Sequence, residues 1–227
     1  MIKKLRNRIL EVALRDGMGH IPSALSILDI IWNLYDEVMT PDDQFILSKG
    51  HGVMALYAVL EEKRLLVWSE KLMGHPKRGG AILASTGSLG HGLPIAVGIA
   101  LAKKIKGEKG RVFCLIGDGE CNEGTIWESA SLASHHKLDN LVVIVDQNHS
   151  SDRALDNLNL QKKFDAFGCL TVGLVGHSNI PLLESESSPL VYVIENIKAN
   201  GVPFMQENSW HNKKLSELDY KNAINFP

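Results

Sequence analysis

The chain has 227 residues, a formal net charge of −2, 44% hydrophobic and 22% charged residues, the composition of an ordinary globular domain. It carries no basic excess that would suit nucleic acid, and no apolar run reaches the roughly eighteen residues a membrane span needs, so neither kind of partner is expected. Cys114, Cys121 and Cys169 lack Cys-x-x-Cys spacing and read as reduced thiols, which points to a cytoplasmic location.

The N-terminal MIKKLRNRILEVALRD spaces Ile2, Leu5, Ile9 and Val12 as a helix stripe, not as the continuous core of a signal peptide. A helix is predicted over 2–15 and is broken at Gly17–Gly19. A second is predicted from Ser23, as N-cap, to Met39. These first 40 residues form the helical start of one domain spanning 1–227. Thr40-Pro41-Asp42-Asp43 turns the chain into a short strand, Phe45–Leu47, which delivers Ser48-Lys49-Gly50-His51 to its end. A helix is expected over 52–60, then a loop-rich passage around His75. A glycine-rich binding loop over 79–92 precedes an apolar helix over 93–106.

Residues 112–116 and 141–145 are apolar, β-branched runs, and between them Ile126, Ala130 and Ala133 share a helix face. This is a βαβ unit, so the two strands are expected to be parallel and to end on the same sheet edge, where open α/β sheets bind ligands. The fold class predicted is α/β, with a mainly parallel central sheet and helices on both faces. Further on, a short helix is predicted over 160–167, strands over 170–175 and 190–195, and a mostly irregular tail from Asn200. The segment 177–188 is too short for a full helix between the last two strands.

Gly117-Asp118-Gly119 lies at the tip of the first βαβ strand and Asp146-Gln147-Asn148 at the tip of the second; Asp118 and Asn148 are 148 − 118 = 30 residues apart in sequence. Gly117 and Gly119 let a bulky anion approach backbone N–H groups. Asp118, Asn148 and the backbone carbonyl of Ser150 offer hard oxygen ligands. That set suits Mg²⁺, bound at about 2.0–2.1 Å with water and a ligand phosphate completing the shell. The crevice is therefore expected to hold a diphosphate through a metal bridge. Of the nine histidines, none forms the His-x-x-x-His spacing that would suggest zinc. No Gly-x-Gly-x-x-Gly follows a strand with an acid about twenty residues on, so a nicotinamide-binding Rossmann protein ranks last.

Gly-Asp-Gly followed by a distant Asn resembles the thiamine-diphosphate motif, and the surrounding words resemble the transketolase family. Gly19-His20-Ile21-Pro22, Ser48-Lys49-Gly50-His51, Gly74-His75-Pro76, Ser85–Gly92, Glu120–Gly124, Lys198–Met205 and Trp210-His211 match that family's segments in order along nearly the whole chain. The resemblance implies the three-layer thiamine-diphosphate-binding fold, with thiamine diphosphate and Mg²⁺ as cofactors. It implies transfer of a two-carbon ketol unit from a ketose, expected to be a phosphate, to an aldose. By the same resemblance, His51 and His211 contact the diphosphate, while His20 and His75 line the reacting end, with His211 also near the chemistry. Gly87, Ser88 and Leu89 hold the aminopyrimidine through their backbone, and Glu123 helps link active sites across subunits. His135, His136, His149 and His177 read as surface or loop residues. His91 stands where the family usually has Gln, and Asn212 where it usually has Gly.

In the family, the Glu that touches the pyrimidine lies on a second domain, and this chain stops where the first would end. The resemblance thus implies the N-terminal subunit of a split transketolase, inactive alone, with a C-terminal subunit carrying the pyrimidine-binding domain as partner in a heterodimer or heterotetramer. Two alternatives stand beside it: a subunit of a 2-oxoacid dehydrogenase or decarboxylase using the same cofactor, and a non-catalytic subunit with a degenerate site.

Overall fold

Five parallel strands form one sheet in the order β1-β2-β3-β5-β4: β1 (Gln44–Leu47), β2 (Val112–Gly117), β3 (Leu141–Gln147), β4 (Leu170–Val175) and β5 (Leu190–Glu195). This computed structural model describes all residues except 70–73, 153–154, 156–158, 177–178, 182 and 227. His177 and part of the 177–188 segment therefore lie outside the described residues.

Side chains alternate across the sheet, as a period of two requires. Phe45, Leu47, Phe113, Leu115, Val142, Ile144 and Tyr192 face a helical layer of α1 (Ile2–Asp16), α2 (Ile21–Asn33) and α3 (Val53–Glu62). Ile46, Cys114, Ile116, Val143, Val145 and Val193 face the opposite layer, α4 (Gly92–Lys106), α5 (Gly124–His135) and α6 (Leu160–Ala166). Because β2 and β3 are buried on both faces, their sequences are continuous apolar runs. The α/β class and three-layer arrangement predicted from sequence are what the chain adopts. Ile126, Ala130 and Ala133 form the buried face of α5 as expected.

Several boundaries differ from the sequence reading. The second helix starts at Ile21, with His20 rather than Ser23 at the cap, because Pro22 fits the first turn of a helix, where no N–H partner is needed. It then loosens into a π-helical turn, Leu34–Val38, before Met39. The tail is not wholly irregular. Ser216 and Asp219 form a reciprocal capping box that starts α7 (Glu217–Ile224), which packs against α1. No helix lies between β4 and β5 among the described residues, as the short segment predicted. No described helix is long and apolar enough to cross a membrane.

Candidate active site

The register of the sheet fixes the crevice. Gly117 pairs with Asp146 across β2 and β3, so the residues just beyond them, Asp118 and Gln147-Asn148, emerge side by side. A Cβ on Gly119 would lie 3.4 Å from that of Ser151, so the Asp118–Gly119 turn abuts the loop after β3. Asp118 is 3% exposed and Asn148 9%; Ser150 is exposed at the loop surface. Burial pushes the Asp118 carboxyl above its usual range, and the nearby Asp146 adds to this while Lys49 opposes it. Asn148 Oδ1 accepts from the Ser150 N–H at 3.1 Å, which shapes the loop and leaves a second lone pair on the same oxygen. One buried carboxylate, one amide oxygen and one backbone carbonyl are the donors a small hard cation takes, and these residues fit Mg²⁺. No group of three His, Cys, Asp or Glu among the described residues is arranged to hold a metal.

Two buried carboxylates organise the surroundings, and neither was singled out in the sequence. Glu120, 1% exposed, accepts from Ser48 Oγ at 2.6 Å, Gly90 N at 2.8 Å and Gly117 N at 2.9 Å. It thereby joins the tips of β1 and β2 to the glycine-rich loop. Asp146, fully buried, forms an ion pair with Lys49 at 2.6 Å and accepts from Ser26, Asn148 and Asn196. Lys198, also buried, reaches the same crevice; burial and Lys49 lower its pKa, against the pull of Asp118 and Asp146.

The glycine-rich loop packs on this frame. Thr86 Oγ1 donates to Leu47 O at 2.6 Å, and Gly92 N donates to Ser48 Oγ at 3.1 Å. Gly90 needs its missing side chain twice over: its φ is +80°, and a Cβ would meet Thr125 Oγ1 at 2.6 Å. Gly87 comes within 3.1 Å of the His75 ring by the same measure. Ser88 and Leu89 are exposed, and His91 Nδ1 donates to Leu89 O at 3.0 Å. Glu123 is exposed at the cap of α5, its Cβ and Cγ close to Gly90, so it lies beside this loop and away from the Asp118–Asn148 end.

Four histidines gather where the N-terminus of α2 meets the tip of β1. The His20 ring lies 5.4 Å from His51 and 5.2 Å from His211, and His51 and His211 are 6.4 Å apart. His20, His51 and His75 line a cavity of about 200 Å³ with Met18, Met54 and the Gly19 and Gly74 backbone. His20 sits in the left-handed region at φ 58°, and its Nδ1 is buried with no hydrogen-bond partner among the described residues. Desolvation lowers the pKa of His20, His51 and His211 and takes His51 down to about 2; neighbouring histidines add to it at His20, Lys49 and the neighbouring histidines at His51, and Lys198 and Lys49 at His211. These three rings are therefore held toward the neutral form, which both donates and accepts. Asn212 packs so tightly on Gly19 that a Cβ there would meet its Oδ1 at 2.0 Å; this contact places His211 beside His20.

His149, read from sequence as a surface or loop residue, lies in the left-handed region at φ 59° and bridges Asp152 at 2.7 Å and Glu195 at 2.5 Å, tying the loop after β3 to the end of β5. Those carboxylates raise its pKa. His135 and His136 are exposed at the far end of α5, as the sequence suggested.

Residues 2–178 match the family described as transketolase, thiamine diphosphate binding domain. The chain belongs to the transketolase family. It is 36% identical to an apulose-4-phosphate transketolase subunit of Actinobacillus succinogenes, over 86% of this chain and 82% of that one. It is 32% identical to the 6-deoxy-6-sulfo-D-fructose transketolase subunit SqwG of a Clostridium species, covering 97% and 92%. Among solved structures, the Campylobacter jejuni transketolase superposes with a TM-score of 0.83 at 25% identity, over 98% of this chain and 41% of the other. The chain thus spans about two fifths of the length of that solved transketolase, and it carries the family's thiamine-diphosphate-binding domain.

Proposed function

We propose that this chain is the diphosphate-binding subunit of a two-chain transketolase, which moves a two-carbon ketol unit from a ketose phosphate to an aldose. The observation that carries this is the joining of two features on one sheet edge: an oxygen-donor crevice at Asp118 and Asn148, and an adjoining cavity lined by three imidazoles with His211 packed beside them. Relatives that match end to end are named as subunits, which supports a partner chain carrying the pyrimidine-binding domain, in a heterodimer or heterotetramer.

Asp118, Asn148 Oδ1 and the Ser150 carbonyl would hold Mg²⁺. The Gly117 and Gly119 backbone, His51, His211 and Lys198 would hold the diphosphate. Bound thiamine diphosphate supplies the nucleophilic carbon and electron sink for the carbon–carbon chemistry. The residues of this chain bind and orient. His20 and His75, which line the cavity, would donate to or accept from the hydroxyl and carbonyl oxygens of a sugar held there. Gly87, Ser88 and Leu89 form an edge against which the pyrimidine ring would rest, and Glu123, exposed beside it, faces the partner. The four-histidine set and the family match favour this reading over a 2-oxoacid enzyme, and the complete donor set favours it over a degenerate subunit.

The test is a two-carbon-transfer assay with Mg²⁺ and thiamine diphosphate. The purified chain alone is expected to be inactive, and activity is expected with a chain carrying the pyrimidine-binding domain. In that complex, His20→Gln should lower kcat by about 10²–10⁴-fold, as loss of a positioned acid–base group does. Turnover by this chain alone, or full activity of the variant, would overturn the reading.

A further inference from the structure

Asn148 can serve a cation only with its oxygen turned outward. An amide is nearly symmetric in shape, so packing alone does not choose between oxygen and nitrogen; hydrogen-bond polarity must. Asn148 Nδ2 donates to Asp146 Oδ2 at 2.8 Å and to Ser26 Oγ at 3.0 Å. Both acceptors are committed to accepting. Asp146 also receives Lys49 Nζ at 2.6 Å, Ser26 Oγ–H at 2.9 Å and Asn196 Nδ2 at 2.5 Å, so it is surrounded by donors. Ser26 spends its one proton on Asp146, and its oxygen is left to accept from Asn148 and Asn196. Flipping the Asn148 amide would set its oxygen against the Asp146 carboxylate inside the protein, with no donor between them. A lost charged hydrogen bond plus an unsatisfied buried group is strongly unfavourable in general.

We propose that Asp146, its oxygens filled by Lys49, Ser26 and Asn196, is a positioning residue that orients the Asn148 amide so that Oδ1 is presented to the divalent cation. Ser26 shares this role, and Asn196 supports it by filling the other carboxylate oxygen. This goes beyond the ligand set of the proposed function and rests on that reading for the presence of Mg²⁺ in the crevice. Asp146 touches neither the cation nor the diphosphate; it acts through Asn148. The arrangement is complete without ligand, so the donor oxygen is pre-oriented and little is lost to reorganisation on binding.

The test uses Asp146→Asn and the exchanged pair Asp146→Asn with Asn148→Asp, in complex with the partner chain. The readout is the Mg²⁺ concentration that half-saturates thiamine diphosphate binding, measured by calorimetry or protein fluorescence. In the single variant one of the two acceptor oxygens becomes an NH₂, so the four donors around it no longer all find an acceptor and the turn of the Asn148 amide is no longer enforced; the half-saturating Mg²⁺ is expected to rise by at least about tenfold. The exchanged pair keeps the same atoms and the same charge, but its carboxylate presents an oxygen whichever way it turns. It is expected to recover most of the loss. Ser26→Ala, which leaves the Lys49–Asp146 pair intact, should give a smaller rise and guards against a single variant that does not fold. If the wild-type complex binds the cofactor without Mg²⁺ dependence, the functional reading itself fails. If the wild type depends on Mg²⁺ while Asp146→Asn, or Ser26→Ala where Asp146→Asn does not fold, leaves the midpoint unchanged, the orientation role is overturned and the functional reading stands. An exchanged pair as impaired as the single variant would also overturn it.

Discussion

The two sides of the sheet are built differently. β2 and β3, in the middle, are buried along nearly their whole length and end in buried polar residues tied into networks. β4, at the edge, alternates half-buried and exposed positions, with Val175 90% exposed, and joins β5 through a segment without a described helix. The first pair carries the Asp118–Asn148 crevice at its tips. A site of buried charges needs a rigid frame around it, because each charge is stable only while its partners stay in place. The edge strand holds no such group.

The comparison can be broken most forcefully at Lys49. Lys49→Met leaves the Asp146 carboxylate buried without its ammonium, and removing one partner of such a pair is expected to cost about 3–5 kcal/mol. Urea denaturation at neutral pH measures it; a loss below about 1 kcal/mol would mean that the network tolerates an uncompensated charge. The next contrast sets the core of the two regions side by side. Ile144→Ala in β3 should cost about 2–5 kcal/mol, whereas Val175→Ala in β4 should stay within about 0.5 kcal/mol. Similar losses at both positions would erase the distinction.

The smallest expected effect concerns acid. His51 has a folded-state pKa far below the 6.5 of free imidazole, so the unfolded chain takes up a proton that the folded chain does not. Its stabilisation is whole above pH 6.5 and falls as pH drops below it, by up to about 1.4 kcal/mol per pH unit. His51→Gln should flatten the decline in stability between about pH 6.5 and 4.5. An unchanged slope would show that the ring is solvated in solution.

Much of this was legible from residue order. The β-branched runs located β2, β3, β4 and β5 within a residue or two; for β2, β3 and β5 this is because strands buried on both faces leave an uninterrupted apolar record. Asp118 and Asn148 were readable because a βαβ unit forces its two strand tips together. The carboxylates that hold the crevice were not. Asp146 looked like the end of a strand, and its partner Ser26 is 120 residues away in the middle of an apolar helix, where no local pattern marks it. Glu120 was visible only as part of a word after Gly-Asp-Gly, where no local pattern sets it apart from Glu123. The start of α2 and the presence of α7 were recoverable, since Pro22 and the Ser216–Asp219 pair are ordinary start signals. The π-helical turn had no such signal.

One helix sets the spacing of the crevice. α2 begins at His20 and carries Ser26 about 9 Å along its axis, at about 1.5 Å per residue. Its carbonyls at Pro22 and Ser26 accept from Ala199 N and Asn196 Nδ2, which stitch it to the segment bearing Lys198. The imidazole that would meet the sugar and the hydroxyl that steadies the cation's ligand are therefore mounted on a single stiff rod, like two marks on a ruler. A ligand that tilts one mark must move the other, so occupancy at the phosphate end should be felt at the sugar end before any sugar arrives.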